Sequence, residues 1–149
     1  MTEDARFEDG REAPLNLGAL DAEDLTVLAA LAQDAVFPAS QMRWHRSGAR
    51  FALLLNRLRH EDTGADRHAP ERVQSVLMFN NVQKVASLGV QQGDADTILS
   101  LLDISFEETD APSGHVTLTL AGDGAIRLDV EALEVTLKDV TRPYVAPSK

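Results

Sequence analysis

The sequence predicts an α+β domain, mainly antiparallel β, with seven to eight strands in a curved sheet or partly open barrel and one N-terminal helix. Three observations carry that expectation. One segment has a helical apolar stripe, many short segments alternate apolar and polar residues, and turn-forming residues separate them. At 149 residues the chain lies near the commonest size of a single domain.

Residues 1–20 read as an exposed leader. Pro14 and Gly18 break regular structure there, and Leu15, Leu17 and Leu20 can dock as a short extended piece. The helix follows in DAEDLTVLAALAQDAV. Asp21 suits the N-cap, Glu23 and Asp24 complement the positive end of the helix dipole, and Leu25, Leu28, Ala29 and Ala32 make one stripe. Pro38 closes this segment.

The period then changes. Ser47-Gly48 between MRWHR and ARFALLLNRL reads as a hairpin turn. Residues 49–60 fit two patterns. As a strand, Phe51, Leu53 and Leu55 share a face that Arg57 and Arg59 continue; as a helix, Phe51, Leu54, Leu55 and Leu58 form a stripe. The turn upstream favours the strand. HEDTGADRHAPE is a polar loop, and VQSVLMF and VQKVASLGV read as two strands around a tight hairpin turn at Asn80-Asn81.

ILSLLDISF reads as a strand with Ile98, Leu102, Ile104 and Phe106 on one face. The clearest pattern is HVTLTLAGDGAIRLDV, where Val116, Leu118 and Leu120, then Ile126, Leu128 and Val130, alternate with polar residues about Gly122-Asp123-Gly124. In EALEVTLKDV the apolar phase shifts to Leu133, Val135 and Leu137. A bulge near Glu131-Ala132 accounts for the shift, and a short helix through Leu133, Leu137 and Val140 is the competing reading of 131–140. The single domain thus spans 21–141, and 142–149 read as a flexible tail.

Composition narrows the function. The net charge is −10, which repels duplex phosphates and anionic membranes, and only 5% of residues are aromatic, too few for base-stacking platforms. Neither nucleic acid nor membrane is an expected partner. Cysteine is absent, which removes disulfides, thiolate metal sites and a cysteine nucleophile. The acidic start MTEDARFEDGRE has no apolar run, and no window nears the roughly 18–20 apolar residues of a membrane span. The expected location is cytoplasmic.

Charge is unevenly spread. Residues 1–42 carry nine acids and two basic residues, 43–72 carry seven Arg and four acids, and 73–149 carry eleven acids and five basic residues. The stretch MRWHRSGARFALLLNRLRHED holds five Arg and two His, with no acid between Ala35 and His60. Candidate ligand-binding residues are therefore Arg43, Arg57, Arg59 and His60. On a strand Arg57 and Arg59 lie roughly 7 Å apart on one face. Arg43 on a hairpin partner can join them to grip a phosphate or carboxylate. The competing reading is a solvated strand end paired with nearby acids.

Other chemistry is thin. The four His lack metal-ligand spacing, no metal or other cofactor is expected, and Asp94 and Asp96 read as turn formers. No nucleophile elbow or phosphate-binding glycine loop occurs, so catalytic residues stay unknown. Asn56, Asp34 and Asp103 are polar residues among apolar neighbours, and a carboxylate of this kind held in a dry cleft could act as a base. Leu54, Leu58, Val76 and Met78 form an opposite face that a second copy of the chain, or the helix, would hide.

Several segments together resemble one bacterial family, catalogued as domain of unknown function 2948. They are QDAVFPASQMRW, RFALLLNRLRHED, ERVQSVLMFNNV, LSLLDISFE and LAGDGAIRLDVEALEVTLKDVTRPY. The resemblance runs from about Phe7 to Tyr144 and implies a small cytoplasmic protein, with no activity, cofactor or catalytic residue to carry over. The expected function is a non-enzymatic binding or regulatory module with an Arg-rich docking stretch. Its expected partners are a second copy, another protein or a small anionic ligand. The alternative is a small enzyme acting on an anionic metabolite, with His60 or Asp103 exchanging protons.

Overall fold

The N-cap starts the helix. In a computed structural model, which describes residues 14–58, 71–90, 97–141 and the backbone of 144–145, the Asp21 carboxylate accepts the Asp24 N–H at 2.8 Å. That bond opens α1, Ala22–Ala32, whose buried residues are Leu25, Leu28, Ala29 and Ala32. They are the four that the 3.6-residue period picks out.

The strands in chain order are β1 (Asn16–Ala19), β2 (Val36–Pro38), β3 (Met42–His45), β4 (Arg50–Leu58), β5 (Glu71–Phe79) and β6 (Val82–Leu88). Then come β7 (Ile98–Glu108), β8 (Gly114–Leu120), β9 (Gly124–Val130), β10 (Val135–Asp139) and β11 (Tyr144–Val145). They form one open, antiparallel sheet in the order β1-β10-β5-β4-β2-β7-β8-β9-β6, with β11 on β5 and β3 on β4. The described strands number eleven, against seven to eight expected. The additional ones, β1, β2 and β11, are four, three and two residues long, too short to carry a readable period.

Each ambiguous segment holds a strand, β4 and β10, in place of the competing helix. β4 buries Phe51, Leu53 and Leu55 at 3%, 1% and 1% exposure, and β10 buries Val135 and Leu137. The β3–β4 hairpin turns through a 3-10 turn at Arg46–Gly48, with Ala49 in the left-handed region at φ 55. β8 and β9 form the alternating hairpin, closed by positive φ at Gly122 and Asp123.

Three local expectations need correction. Asn80-Asn81 does not close a hairpin: β5 pairs with β4 and β10, while β6 pairs with β9. The chain turns a corner there, with Asn81 at φ 61. Residues 131–134 are a second corner and not a bulge, because β9 and β10 pair with different neighbours. The corners lie against each other, with the Asn80 N–H on the Glu134 carbonyl at 2.9 Å and the Glu131 N–H on the Asn81 carbonyl at 3.0 Å. Turn chemistry marks where a chain bends but does not say which strands then pair. Finally, a bulge between Leu101 and Asp103 breaks the expected single face of β7. Leu101 and Ile104 are buried, whereas Ile98 and Leu102 are 61% and 39% exposed.

One core results. It draws Leu25 and Leu28 from α1, Phe51, Leu53 and Leu55 from β4, Leu77 and Phe79 from β5, and the inward residues of β7 to β10 into a single cluster. α1 packs against β1, β4 and β7 from this inner side.

Candidate functional site

Alternation along β4 divides its polar residues between two environments. Arg57 keeps the phase of Phe51, Leu53 and Leu55, so it points into the core and is 0% exposed. There its Nε donates to the Ser75 Oγ at 2.9 Å and its Nη2 to the Asp139 Oδ1 at 2.9 Å. The Ser75 Oγ donates to the same Asp139 oxygen at 2.7 Å, and the other carboxylate oxygen accepts the Leu15 N–H at 2.8 Å. A buried ion pair is tolerated when hydrogen bonds satisfy the remaining polar atoms, as they do on this carboxylate. The cluster joins β4, β5, β10 and the residue before β1.

Arg43 lies on the other side. It pairs with Ala52, and cross-strand partners share a face, so Arg43 and Arg57 project from opposite faces of the sheet. The expected Arg43–Arg57 grouping therefore does not assemble. Arg59 and His60 lie outside the described residues. The Arg43 Nη1 donates to the carbonyls of Ser40 at 2.5 Å and Met42 at 3.2 Å.

The register defines the rest of that outer face. His45 pairs with Arg50 and Arg43 with Ala52; Ala52 continues to Met78 and Thr136, Leu54 to Val76 and Lys138, and Leu58 to Arg72. Four cationic side chains thus share one face with His45: Arg43, Arg50, Arg72 and Lys138. None of the outward positions of β3, β4, β5 or β10 among the described residues is Asp or Glu. The centre of the face is apolar, with Leu54, Leu58, Val76 and Met78 half-buried. α1 packs on the inner side, so it does not cover them. Beside Leu54 a hollow of about 240 Å³ has Gln41, Asn56 and Gln74 among its lining residues.

The other half of the sheet has a different surface. Glu107, His115, Asp129 and Lys84 form one cross-strand row, with His115 Nδ1 2.8 Å from the Asp129 Oδ1. Arg127 approaches the same oxygen at 3.4 Å. A His held by a carboxylate is an acid–base arrangement, but this one stands on an open, half-exposed sheet face and lines neither described cavity. Of the polar residues with apolar neighbours in the sequence, Asp34 and Asp103 are exposed, and the Asn56 Oδ1 accepts from the Arg72 Nη1 at 2.9 Å. Among the described residues no three His, Asp or Glu side chains converge as metal ligands, and no helix is long and apolar enough to cross a membrane.

Residues 15–149 match a family described as "Protein of unknown function (DUF2948)". The chain belongs to that family. No curated protein and no solved structure matches it. The family description carries no activity, so the roles of residues in this DUF2948 chain rest on geometry alone.

Two polar core residues of this DUF2948 member, Ser75 and Asp139, escape a reading based on charge clusters. A signal for them exists in the sequence. Arg57 follows Phe51, Leu53 and Leu55 in phase, Ser75 stands between Val73 and Leu77, and Asp139 follows Val135 and Leu137. Three strands each place one polar residue in the buried phase, and buried polar groups need one another.

Proposed function

We propose that this protein is a non-enzymatic binding module whose partner presents acidic groups around an apolar centre, docking on the outer face of β3, β4, β5 and β10. One observation carries the reading. In a chain of net charge −10, this face gathers Arg43, His45, Arg50, Arg72 and Lys138 around Leu54, Val76 and Met78, with no carboxylate among its described outward positions. Such segregation opposes the chain's overall charge, and an apolar centre inside a polar rim is the anatomy of a protein interface. The Arg-rich stretch contributes Arg43 and Arg50 to this face, whereas Arg57 serves the core. The enzyme alternative requires a proton-exchanging group near the bound anion. Of the two residues expected to exchange protons, Asp103 does not lie on this face and His60 lies outside the described residues.

The test compares the wild type with an Arg43→Glu, Arg50→Glu, Lys138→Glu variant, all exposed positions. Thermal stability is followed against labelled peptides of alternating Glu and Leu, anionic metabolites and nucleotides. A ligand at about 100 times its Kd adds roughly 2.7 kcal/mol. Stabilisation of the wild type by the acidic peptides, lost in the variant, supports the reading. Equal responses of the two proteins to every compound discard it, and turnover of a metabolite that needs the three cations favours the enzyme.

A further inference from the structure

A second surface, of opposite charge, lies on the far side of α1. Between α1 and β7 runs a groove of about 420 Å³, lined on the helix by Ala22, Thr26 and Ala30 and on the strand by Asp103, Ile104 and Phe106. Among the described residues that line it, none is basic. Beyond Ser100 its strand wall is an edge that no strand among the described residues pairs with. β2 pairs with β7 only at Ile98 to Ser100, and beyond that the Leu101 N–H reaches the Ala35 carbonyl while the Leu101 carbonyl accepts the Asp34 N–H.

The bulge after Leu101 then redirects the backbone. The Thr109 N–H bonds the Ser113 carbonyl, so the alternation of an antiparallel ladder gives residues 103, 105 and 107 to β8. Ile104, Phe106 and Glu108 therefore turn their N–H and C=O groups to the opposite edge. No strand among the described residues pairs with them there. Ile104 is only 4% exposed, and backbone polar groups held in a poorly hydrated place favour a partner.

We propose that this groove binds an extended basic peptide segment, which adds as a further strand on the Ile104–Glu108 edge of β7. Backbone bonds to Ile104 and Phe106 supply the register, and the small side chains of Ala22 and Ala30 leave room for the added strand against the helix. Charge selects the occupant. Asp103, Glu107 and Glu108 lie along the strand, and Glu23 and Asp24 stand in the first turn of α1. A second copy of β7 laid on the same edge would set these acids against their own kind, whereas Lys or Arg side chains meet them with opposite sign.

The probe is a fluorescein-labelled peptide of alternating Lys and Val, followed by anisotropy on the full chain. Its Glu-for-Lys counterpart and two versions N-methylated at alternate amides, one in each phase, complete the set. Thr26 is exposed on the helix wall, so Thr26→Arg and Thr26→Glu both leave the core untouched. The expected result is binding of the Lys peptide to the wild type and to Thr26→Glu, and at least about tenfold weaker binding to Thr26→Arg. N-methylation in one phase weakens binding by about tenfold and in the other phase does not, because only alternate amides of an added strand face β7. Absence of binding overturns the proposal. So do equal effects of the two N-methylated peptides, which mark simple charge attraction, equal binding of the Glu peptide, or indifference to Thr26→Arg.

Discussion

Arg57 and Asp139 stand 82 residues apart in the chain and 2.9 Å apart in the core. Their side chains are 0% and 2% exposed, and Ser75 bonds both. Removing one partner from such a pair leaves a buried charge with less compensation. Asp139→Leu should destabilise the protein by about 3–5 kcal/mol. The double variant Arg57→Met, Asp139→Leu should lose clearly less than the sum of the single changes. Urea unfolding of the four proteins gives the coupling directly, and additive losses would remove the pair from the account of stability.

Ser75 is the hinge of that cluster, donating to Asp139 and accepting from Arg57. Ser75→Ala removes both bonds while leaving the ion pair. A loss of about 1–3 kcal/mol is expected. An unchanged urea midpoint would mean that Arg57 and Asp139 are satisfied without it.

What could be read in the sequence follows from how local each feature is. The stripe of α1 and its Asp21 cap depend on neighbours a few residues away, and both are as the pattern indicates. The β8–β9 hairpin is equally local. The corners at 80–81 and 131–134 are not, because they are set by pairings such as Phe79 with Val135, far apart in the chain. The bulge at Leu102 is one residue long, and a single insertion reverses the faces that alternation assigns. The same limit affected the site. Residue type placed Arg57 with Arg43 as a cation for a ligand, whereas its phase with Phe51, Leu53 and Leu55 committed it to the core. The cationic outer face emerges only when β3, β4, β5 and β10 are laid side by side.

Gly114 tests the packing of the β7–β8 pair. A Cβ built at this residue lies 2.5 Å from the Glu107 carbonyl oxygen and 2.6 Å from the Phe106 ring. The backbone oxygen cannot move without breaking the ladder. Gly114→Ala is expected to lower stability by about 1–3 kcal/mol, the range of an overpacked core site. A thermal midpoint equal to that of the wild type would show that the strand end yields.

Asn81 separates conformation from hydrogen bonding at a corner. It sits at φ 61, and its Nδ2 donates to the Ala132 carbonyl at 3.3 Å. Phe79 pairs with Val135 and Val82 with Val130, so two residues on one side of the corner oppose four on the other. Asn81→Gly keeps the backbone conformation and loses only the side-chain bond, an expected cost of about 0.5–1.5 kcal/mol. Asn81→Ala loses the bond and also carries a Cβ in the left-handed region, which adds roughly 1 kcal/mol. Chemical unfolding of both variants measures the two contributions separately. If Asn81→Gly is the less stable of the two, the positive φ is not what selects the residue at this corner.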